Sequence, residues 1–417
     1  MPSRVLTIPL VSAALVGLTV LWAWPEENLG FWRSAAIVSG WSGGGLLTAS
    51  LLLMVREAKL AAWLGGLESM YRWHHRLGVA AYLVLLVHPL ALAAAGWREA
   101  PALAWAMLAP WQQGWPVWIG WAALLCLMTG LTAALSPGIA YARWRFLHGL
   151  LGLAIGLAIT HLLLLGLDYP LLWSPLLALA LILWRILRAD LGLASRPHVV
   201  ARVRHPAADI IEISLRPLAR PLAVRPGQFV LAAFHDGPDF RGCGEFHPYT
   251  VSAVAADGEI ALGIKALGDC TRHLQTLVPG VAARIEGPFG DFLSQRAAVP
   301  EFWLAGGIGI TPFLGVLRNG PLPHPTRLLY LHRDAHDGAF GDEIRRLASD
   351  QPRLTVEVIA SGNRVPDLAT LLPAAPDLAG HECYLCGPPG LLAAAIPLLR
   401  QRGVNPARIH FEQFDFR

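Results

Sequence analysis

Charge is what this 417-residue chain has least of: Asp, Glu, Lys and Arg make up 15% of it, against 54% hydrophobic residues. A soluble globular chain carries roughly 25% charged residues. A wholly soluble protein is therefore excluded, and so are a disordered chain and a collagen-like or coiled-coil fibre. The shortage is local. Residues 1–190 hold 11 Lys and Arg and 7 Asp and Glu, whereas residues 191–417 hold 22 of each. The first stretch is membrane-like; the second reads as an ordinary, electrically balanced soluble region. The net charge of +4 sits in the first stretch, where orientation in a membrane accounts for it better than a nucleic-acid partner does. Cysteine is scarce too. Cys126, Cys243, Cys270, Cys383 and Cys386 are too few and too scattered for a disulfide scaffold, and a reducing compartment suits the soluble half. The N-terminal apolar run from Val5 to Trp24 lacks a clear small-x-small cleavage pattern. It is also too long for a signal-peptide core, so it is expected to be a retained span.

Six apolar stretches reach, or nearly reach, the roughly 17–25 residues that a bilayer crossing needs. They fall near 5–24, 34–55, 74–96, 117–136, 146–167 and 169–187. A further piece, Pro101 to Trp115, is rich in Trp, Pro and Gln and is expected on the membrane surface. Fifteen of the 16 Trp precede residue 190, as suits a side chain that prefers membrane interfaces. Arg56, Lys59, Arg72 and Arg76 lie between spans two and three, Arg143 and Arg145 between four and five, and Arg185 and Arg188 at the end of span six. The other side has Arg33 and Arg98 with Glu26, Glu27, Glu99 and Asp168. The positive-inside rule then puts both termini and the soluble half in the cytoplasm.

Two spans carry histidines that need explaining. Span three has His74, His75 and His88, and span five has His148 and His161. The steps from His74 to His88 and from His148 to His161 are 14 and 13 residues, about 20 Å of helix. Fourteen residues is close to four turns, so His74 and His88 face nearly the same side, whereas the 13-residue step from His148 to His161 needs some local adjustment. Two facing helices of this kind make two stacked bis-imidazole sites, which is what a pair of b-type haems needs. Ionisable groups inside a bilayer are costly and mostly functional, which weighs against two pairs of plain core histidines. The texts His74-x-x-Leu77-Gly78 and His148-x-x-Leu151-Gly152 align His74, not His75, with His148. His74 and His148 are thus the expected ligands of an inner haem, and His88 and His161 those of an outer one.

From about Arg196 the text changes to short β-rich runs, such as 199–203, 210–215, 229–234, 249–253 and 260–264, separated by Gly, Pro and Asp turns. That rhythm predicts a small antiparallel barrel. After Pro300, β runs at 302–305 and 327–332 alternate with helical stretches, which predicts a nucleotide-binding parallel α/β sheet. The segment Leu304-Ala-Gly-Gly-Ile-Gly-Ile-Thr-Pro312 ends a strand on Gly306, Gly307 and Gly309 and opens a helix with Thr311 and Pro312. Backbone N–H groups at such a helix start suit a pyrophosphate. His247-Pro-Tyr-Thr-Val-Ser-Ala253 alternates aromatic and hydroxyl side chains that can flank a flat ligand, and Lys265-x-x-Gly268-x-x-Thr271 is a phosphate-type setting. Glu286-Gly-Pro-Phe-Gly290 is expected to form a tight turn. Cys383-Tyr-Leu-Cys386-Gly-Pro-Pro389 has no second Cys pair for a metal; Cys386, Gly387 and Pro388 read as the wall of a nucleotide pocket, with Cys383 simply buried. Arg333, after the strand that ends at His332, can pair bidentately with a ribose 2′-phosphate.

These motifs together resemble the ferric reductase and NADPH oxidase superfamily, most closely its compact bacterial NADPH oxidases, and the resemblance covers essentially the whole chain. It implies an all-α transmembrane six-helix bundle carrying four haem histidines, followed by a ferredoxin-reductase-like region. That region comprises an antiparallel β-barrel FAD domain and then an α/β Rossmann-like NADPH domain. The expected bounds are 1–190, 196–296 and 297–417. By this resemblance His247, Pro248, Tyr249, Thr250 and Ser252 hold the flavin, with His247 where soluble relatives usually have Arg. Lys265, Gly268 and Thr271 meet the flavin diphosphate. The GGIGITP and CGPP segments hold NADPH, and Phe414, with Phe416 as the alternative, covers the flavin. Phe414 and Cys386 are the candidate catalytic residues. The implied activity is electron transfer from cytoplasmic NADPH through FAD and two b-type haems to an acceptor across the bacterial inner membrane. Molecular oxygen, reduced to superoxide, is the first choice, with Arg98 as a candidate outer cation; a ferric chelate and then a membrane quinone follow. A non-catalytic haem-binding sensor is the reading from another class. The expected partners are NADPH, O2 and the lipid bilayer, without nucleic acid or an obligatory protein.

Overall fold

Apolar chain in lipid must satisfy every backbone polar group within its own segment, and helices do this. The computed structural model describes residues 6–412 except 26–28, 137, 140, 168–170, 238, 294–297, 335–337, 363–365 and 379. Its first part is helical: α1 (Thr7–Trp22), α2 (Phe31–Leu52), α3 (Ala58–Trp63), α4 (Leu67–Glu99), α5 (Pro101–Leu108), α6 (Trp115–Leu135), α7 (Tyr141–Leu164) and α8 (Trp173–Arg185), the last running into a π-type turn, Ile186–Asp190. The six expected spans correspond to α1, α2, α4, α6, α7 and α8. Four of them, α2, α4, α6 and α7, are long and apolar enough to cross a membrane. Helices α1 and α8, of 16 and 13 residues, are shorter than the roughly 17 residues that a crossing takes. The Pro101 to Trp115 piece forms only the eight-residue α5 and a 3-10 turn at Pro110–Gln112, far too short to cross. The six-residue α3, between spans two and three, was not foreseen. Helix α2 packs along α1, α4 and α8, and α6 along α7.

The second part begins with six strands: β1 (Arg196–Ala207), β2 (Ile210–Pro217), β3 (Phe229–Phe234), β4 (His247–Val254), β5 (Ile260–Lys265) and β6 (Ala282–Phe289). They close into a barrel in the order β1-β2-β5-β4-β3-β6, with every pairing antiparallel. Inward residues such as Ile211, Ile213, Val230, Val251, Leu262 and Ile285 make its core. A short helix, α9 (Asp269–His273), follows β5.

Beyond the barrel lies a five-stranded parallel sheet of β7 (Glu301–Gly306), β8 (Thr326–His332), β9 (Leu354–Ala360), β10 (Glu382–Cys386) and β11 (Ile409–Glu412), in the order β11-β10-β7-β8-β9. Its helices are α10 (Thr311–Arg318), α11 (Gly341–Ser349), α12 (Leu368–Leu371), α13 (Ala375–Leu378) and α14 (Pro389–Gln401). Strand β7 is buried along its whole length, as a strand covered on both faces should be. The chain divides into two compact units, one made by the helices up to Leu191 and the other by Gly192 onward with Glu57–Ala62. The barrel and the parallel sheet belong to the same unit.

Candidate functional site

The helical unit gathers four of the histidines. His74 on α4 and His148 on α7 face each other with ring centres 6.2 Å apart and planes at 75°. Two imidazoles sharing one metal through bonds of about 2 Å stand with their ring centres roughly 6 Å apart. Helices α4 and α7 are not among the closely packed pairs of the described residues, so the rings reach across a gap. His74 Nδ1 donates to the Ser50 carbonyl at 3.0 Å, and the Ser50 hydroxyl is 2.8 Å from the same nitrogen. His148 stacks on Trp144 at 4.9 Å and 9°, and its buried Nδ1 has no hydrogen-bond partner. The neighbouring His75 is exposed. Gly78 and Gly152 lie four residues after His74 and His148, on the same helical faces. A Cβ at Gly152 would meet nothing within 4 Å, and one at Gly78 only the Ser50 hydroxyl at 3.9 Å, so each histidine overlooks open space.

The second pair is anchored alike. His88 Nδ1 donates to the Ala36 carbonyl at 2.8 Å, and His161 Nδ1 to the Pro116 carbonyl at 2.9 Å. A carbonyl oxygen can only accept, so both rings carry their proton on Nδ1 and offer Nε2 as a bare lone pair. Each ring rests on a glycine. A Cβ at Gly40 would stand 3.1 Å from His88 Nδ1, and one at Gly120 2.9 Å from His161 Cε1. Sequence reasoning missed both seats; the run Gly40-Trp-Ser-Gly-Gly-Gly45 was the available signal.

In the second unit, β4 carries the expected flavin segment. Tyr249 is buried against Phe234, with ring centres 6.4 Å apart, and its buried hydroxyl has no hydrogen-bond partner. Burial pushes its pKa up. His247, whose ring centre is 6.5 Å from that of Tyr249, likewise has a buried Nε2 without a hydrogen-bond partner; burial pushes its pKa down. Unpaired buried polar atoms are costly unless a ligand satisfies them. Pro248 and Thr250 stand in register opposite Leu231 and Phe229 of β3. Two of the expected flavin residues also hold contacts within the protein. The Ser252 hydroxyl donates to Glu212 at 2.6 Å. The Thr271 hydroxyl accepts from the backbone N–H groups of Leu267 and Gly268, at 2.9 and 2.8 Å, and so shapes the loop after Lys265. Lys265 ends β5, opposite Ile210.

The nucleotide segments converge at the carboxyl ends of the parallel strands. From β7 the chain builds β8 and β9 on one side, then returns to place β10 and β11 on the other. The switch point between β7 and β10 is where such sheets bind ligands. Gly306 ends β7, Gly307 to Ile310 make a 3-10 turn, and α10 starts at Thr311 with Pro312 next. The Thr311 hydroxyl donates to the Ile308 carbonyl at 2.9 Å. A Cβ at Gly309 would stand 2.3 Å from the Cys386 carbonyl oxygen, so only glycine lets the GGIGITP turn lie on Cys386-Gly387-Pro388. Burial, with Glu412 adding to it, pushes the Cys386 thiol well up. Burial and Glu382 push Cys383 up to about 12. Both are therefore held as buried neutral thiols rather than thiolates. Arg333 is exposed just beyond β8. Phe414 and Phe416 lie outside the described residues, as do Glu26, Glu27 and Asp168.

A charged network ties β4 to α10. Arg318, at the end of α10, bonds Glu212 at 2.6 Å, Glu343 at 2.6 Å and the Ser252 carbonyl at 3.2 Å. Arg204 also bonds Glu212 and, at 3.1 Å, Glu343. The guanidiniums of Arg204 and Arg318 lie 5.6 and 5.5 Å from the centre of the Phe340 ring. A Cβ at Gly315 would stand 2.7 Å from the Val251 carbonyl oxygen, so α10 sits directly on β4. None of these four charges was foreseen; the signal was Glu212, an acid within the apolar run Ile210-Ile-Glu-Ile-Ser-Leu215. Nor was a disulfide expected, yet the fold joins Cys243 to Cys270. The antiparallel pairing of β4 with β5 brings the loop before β4 beside the one after β5.

Two family comparisons bear on this architecture. "Ferric reductase like transmembrane component" matches residues 39–159, and "FAD-binding domain" matches residues 196–313. The chain belongs to the ferric reductase and NADPH oxidase superfamily. This superfamily member joins a ferric-reductase-like transmembrane helical domain to an FAD-binding barrel domain. Its reductase region is similar to the ferredoxin–NAD(P)+ reductase component of the naphthalene 1,2-dioxygenase system of Pseudomonas putida, 26% identical over 229 residues that make 52% of this chain and 67% of that protein. It is also similar to the reductase component of the naphthalene 1,2-dioxygenase/salicylate 5-hydroxylase systems of a Ralstonia species, 30% identical over 211 residues that make 47% of this chain and 62% of that one. Among solved structures, the flavohaem-like FAD/NAD-binding domain of a Vibrio cholerae nitric oxide dioxygenase is 24% identical, with a TM-score of 0.45, over 52% of this chain and 98% of that one.

Proposed function

We propose that this superfamily member carries electrons from NADPH across a membrane to molecular oxygen, with net stoichiometry NADPH + 2 O2 → NADP+ + H+ + 2 superoxide. The observation that carries the proposal is the histidine constellation: two pairs on α4 and α7, three of the rings anchored through Nδ1 on helix-backbone carbonyls. Bound FAD would turn a two-electron hydride into single electrons, and two bound b-type haems would relay these across the apolar slab. His74 and His148 would hold one haem and His88 and His161 the other, with Gly78, Gly152, Gly40 and Gly120 leaving room for the rings and a flat ligand.

On the soluble side, His247, Tyr249 and the loop from Lys265 to Thr271 would hold the flavin, the buried Tyr249 hydroxyl finding its missing partner there. Gly306, Gly307, Gly309 and Cys386 to Pro388 would hold the nucleotide diphosphate and nicotinamide. The Arg318 network fixes β4 against α10, so the two segments that must bring flavin and nicotinamide together cannot drift apart; hydride transfer needs approach to about 3–3.5 Å. Arg333 would select the 2′-phosphate of NADPH, and Phe414 would cover the flavin between turnovers.

A ferric chelate as acceptor is favoured by the description of the family that matches the helices. Membranes holding the protein decide between them when given NADPH. Cytochrome c reduction abolished by superoxide dismutase supports oxygen; ferric-chelate reduction that persists without oxygen and is insensitive to the dismutase supports the alternative. No NADPH oxidation at all, with flavin and haem bound, would leave the sensor reading.

A further inference from the structure

Cys243, His247 and Cys270 converge on one spot from the loop before β4, the first residue of β4, and α9. The two cysteines are joined, with Cα atoms 6.1 Å apart, and both sulfurs and a ring nitrogen of His247 lie within 4.8 Å of one another. His247 Nε2 is buried and has no hydrogen-bond partner. The electron-transfer reading uses neither cysteine, yet both touch its machinery in sequence. His247 opens the HPYTVSA segment, and Cys270 sits between Gly268 and Thr271 of the diphosphate loop.

We propose that reduction of this disulfide creates a site for a thiophilic divalent cation of the zinc class, and that the loaded site withholds His247 from the flavin. The second part rests on the reading of HPYTVSA as the flavin segment. A small dithiol supplies the two electrons. Its thiolate attacks one sulfur, the Cys243–Cys270 bond breaks as a mixed disulfide forms, and the reductant's second thiolate displaces the protein sulfur. Two protein thiols and an oxidised, cyclic reductant result. The cation then displaces both thiol protons and takes the Nε2 lone pair.

Two thiolates and an imidazole are a zinc donor set, with water or a carboxylate as the fourth ligand. The Glu245 carboxylate lies 3.7 Å from His247 Nε2. Tetrahedral bonds of about 2.0–2.3 Å place ligand atoms roughly 3.3–3.8 Å apart. Once the disulfide is broken the two sulfurs must part to that spacing, and the His247 nitrogen, within 4.8 Å of them, need close in by no more than about 1–1.5 Å. Cys383 and Cys386 are held as buried thiols in the sheet core and do not compete.

The test uses the full chain in detergent, oxidised or reduced with dithiothreitol and then freed of it without air, and titrated with Co2+ as the probe. The reduced protein should bind one Co2+ per chain with thiolate-to-metal charge-transfer absorption that Zn2+ removes, and the oxidised protein none. Cys243→Ser and Cys270→Ser should abolish the signal although Cys383 and Cys386 remain, and His247→Gln should weaken binding at least tenfold. Filling the site with Zn2+ should release FAD, and a chelator should restore it. No Co2+ in the reduced protein, equal Co2+ in both redox states, or full Co2+ alongside full FAD occupancy overturns the proposal. The comparison of redox states needs no variant, so a poorly folding variant leaves the test intact. The Co2+ titration needs no flavin, so failure of the oxidised protein to bind FAD counts against the flavin reading alone.

Discussion

Arg318→Met should loosen the junction between β4 and α10. The guanidinium is 15% exposed and its partners Glu212 and Glu343 are 5% and 22% exposed. Removing one partner of a buried pair costs roughly 3–5 kcal/mol, because a charge is left uncompensated. Here Arg204 still bonds Glu212 and reaches Glu343, so the charges are only partly stranded and the cost falls at or just below that range, about 2–3 kcal/mol. For a unit of this size each kcal/mol moves the unfolding midpoint by about 2–4 °C, which predicts a fall of about 4–12 °C. Thermal unfolding of the full chain, followed by flavin fluorescence, measures it. Adding Glu212→Gln should return part of the loss, since the stranded carboxylate is then neutral, and a double-mutant cycle isolates that coupling. The pH dependence has a definite sign. Burial raises the Glu343 carboxyl, but Arg318 and then Arg204 outweigh it and hold it below its ordinary 4.5. A depressed carboxyl stabilises the fold above its unfolded pKa and loses that contribution as pH falls through the folded one. The gap between wild type and Arg318→Met should therefore narrow below about pH 4.5. A midpoint within about 1 °C of wild type at neutral pH would mean that the network is screened surface charge.

His74→Ala should cost the protein one of two haems, whereas His75→Ala should keep both, read from pyridine haemochrome content per chain; the reverse result would swap the ligand. Arg333→Ala should raise the KM for NADPH at least tenfold while leaving that for NADH nearly unchanged, in keeping with the loss of a bidentate phosphate contact; equal effects on both would make Arg333 an ordinary surface residue. Phe414→Ser should improve NADH use relative to NADPH, because a ring stacked on the flavin by about 0.5–1.5 kcal/mol is displaced more easily by a nucleotide anchored at its 2′-phosphate. If steady-state rates with both nucleotides change alike, Phe414 only packs; if Phe416→Ser gives the shift, the covering ring is Phe416.

Much of this was legible in the sequence because the signals are local. Uninterrupted apolar runs set α1, α2, α4, α6, α7 and α8, and the Gly-Gly-Ile-Gly turn fixed the end of β7 and the start of α10. The repeat His-x-x-Leu-Gly singled out His74 over its neighbour; His75 is exposed and His74 bonds Ser50. What was not legible depends on strand pairing and tertiary packing. Cys243 and Cys270 are 27 residues apart and meet because β4 and β5 pair antiparallel. Glu212, Ser252, Arg318 and Glu343 are drawn from β2, β4, α10 and α11, and no single window of sequence contains two of the acids. The intraprotein partners of the Ser252 and Thr271 hydroxyls, Glu212 and the loop backbone, were likewise not legible, since a hydroxyl turns toward whichever partner tertiary packing supplies.

The most direct measurement is an anaerobic absorption spectrum of the purified full chain as NADPH is added, taken for wild type, His88→Ala and His161→Ala. Wild type should bleach its flavin and develop the reduced bands of two b-type haems per chain. Each variant should still bleach its flavin but show one haem only. Two haems in both variants, or a wild-type chain whose flavin is reduced while bound haem stays oxidised, would contradict a di-haem path through α4 and α7.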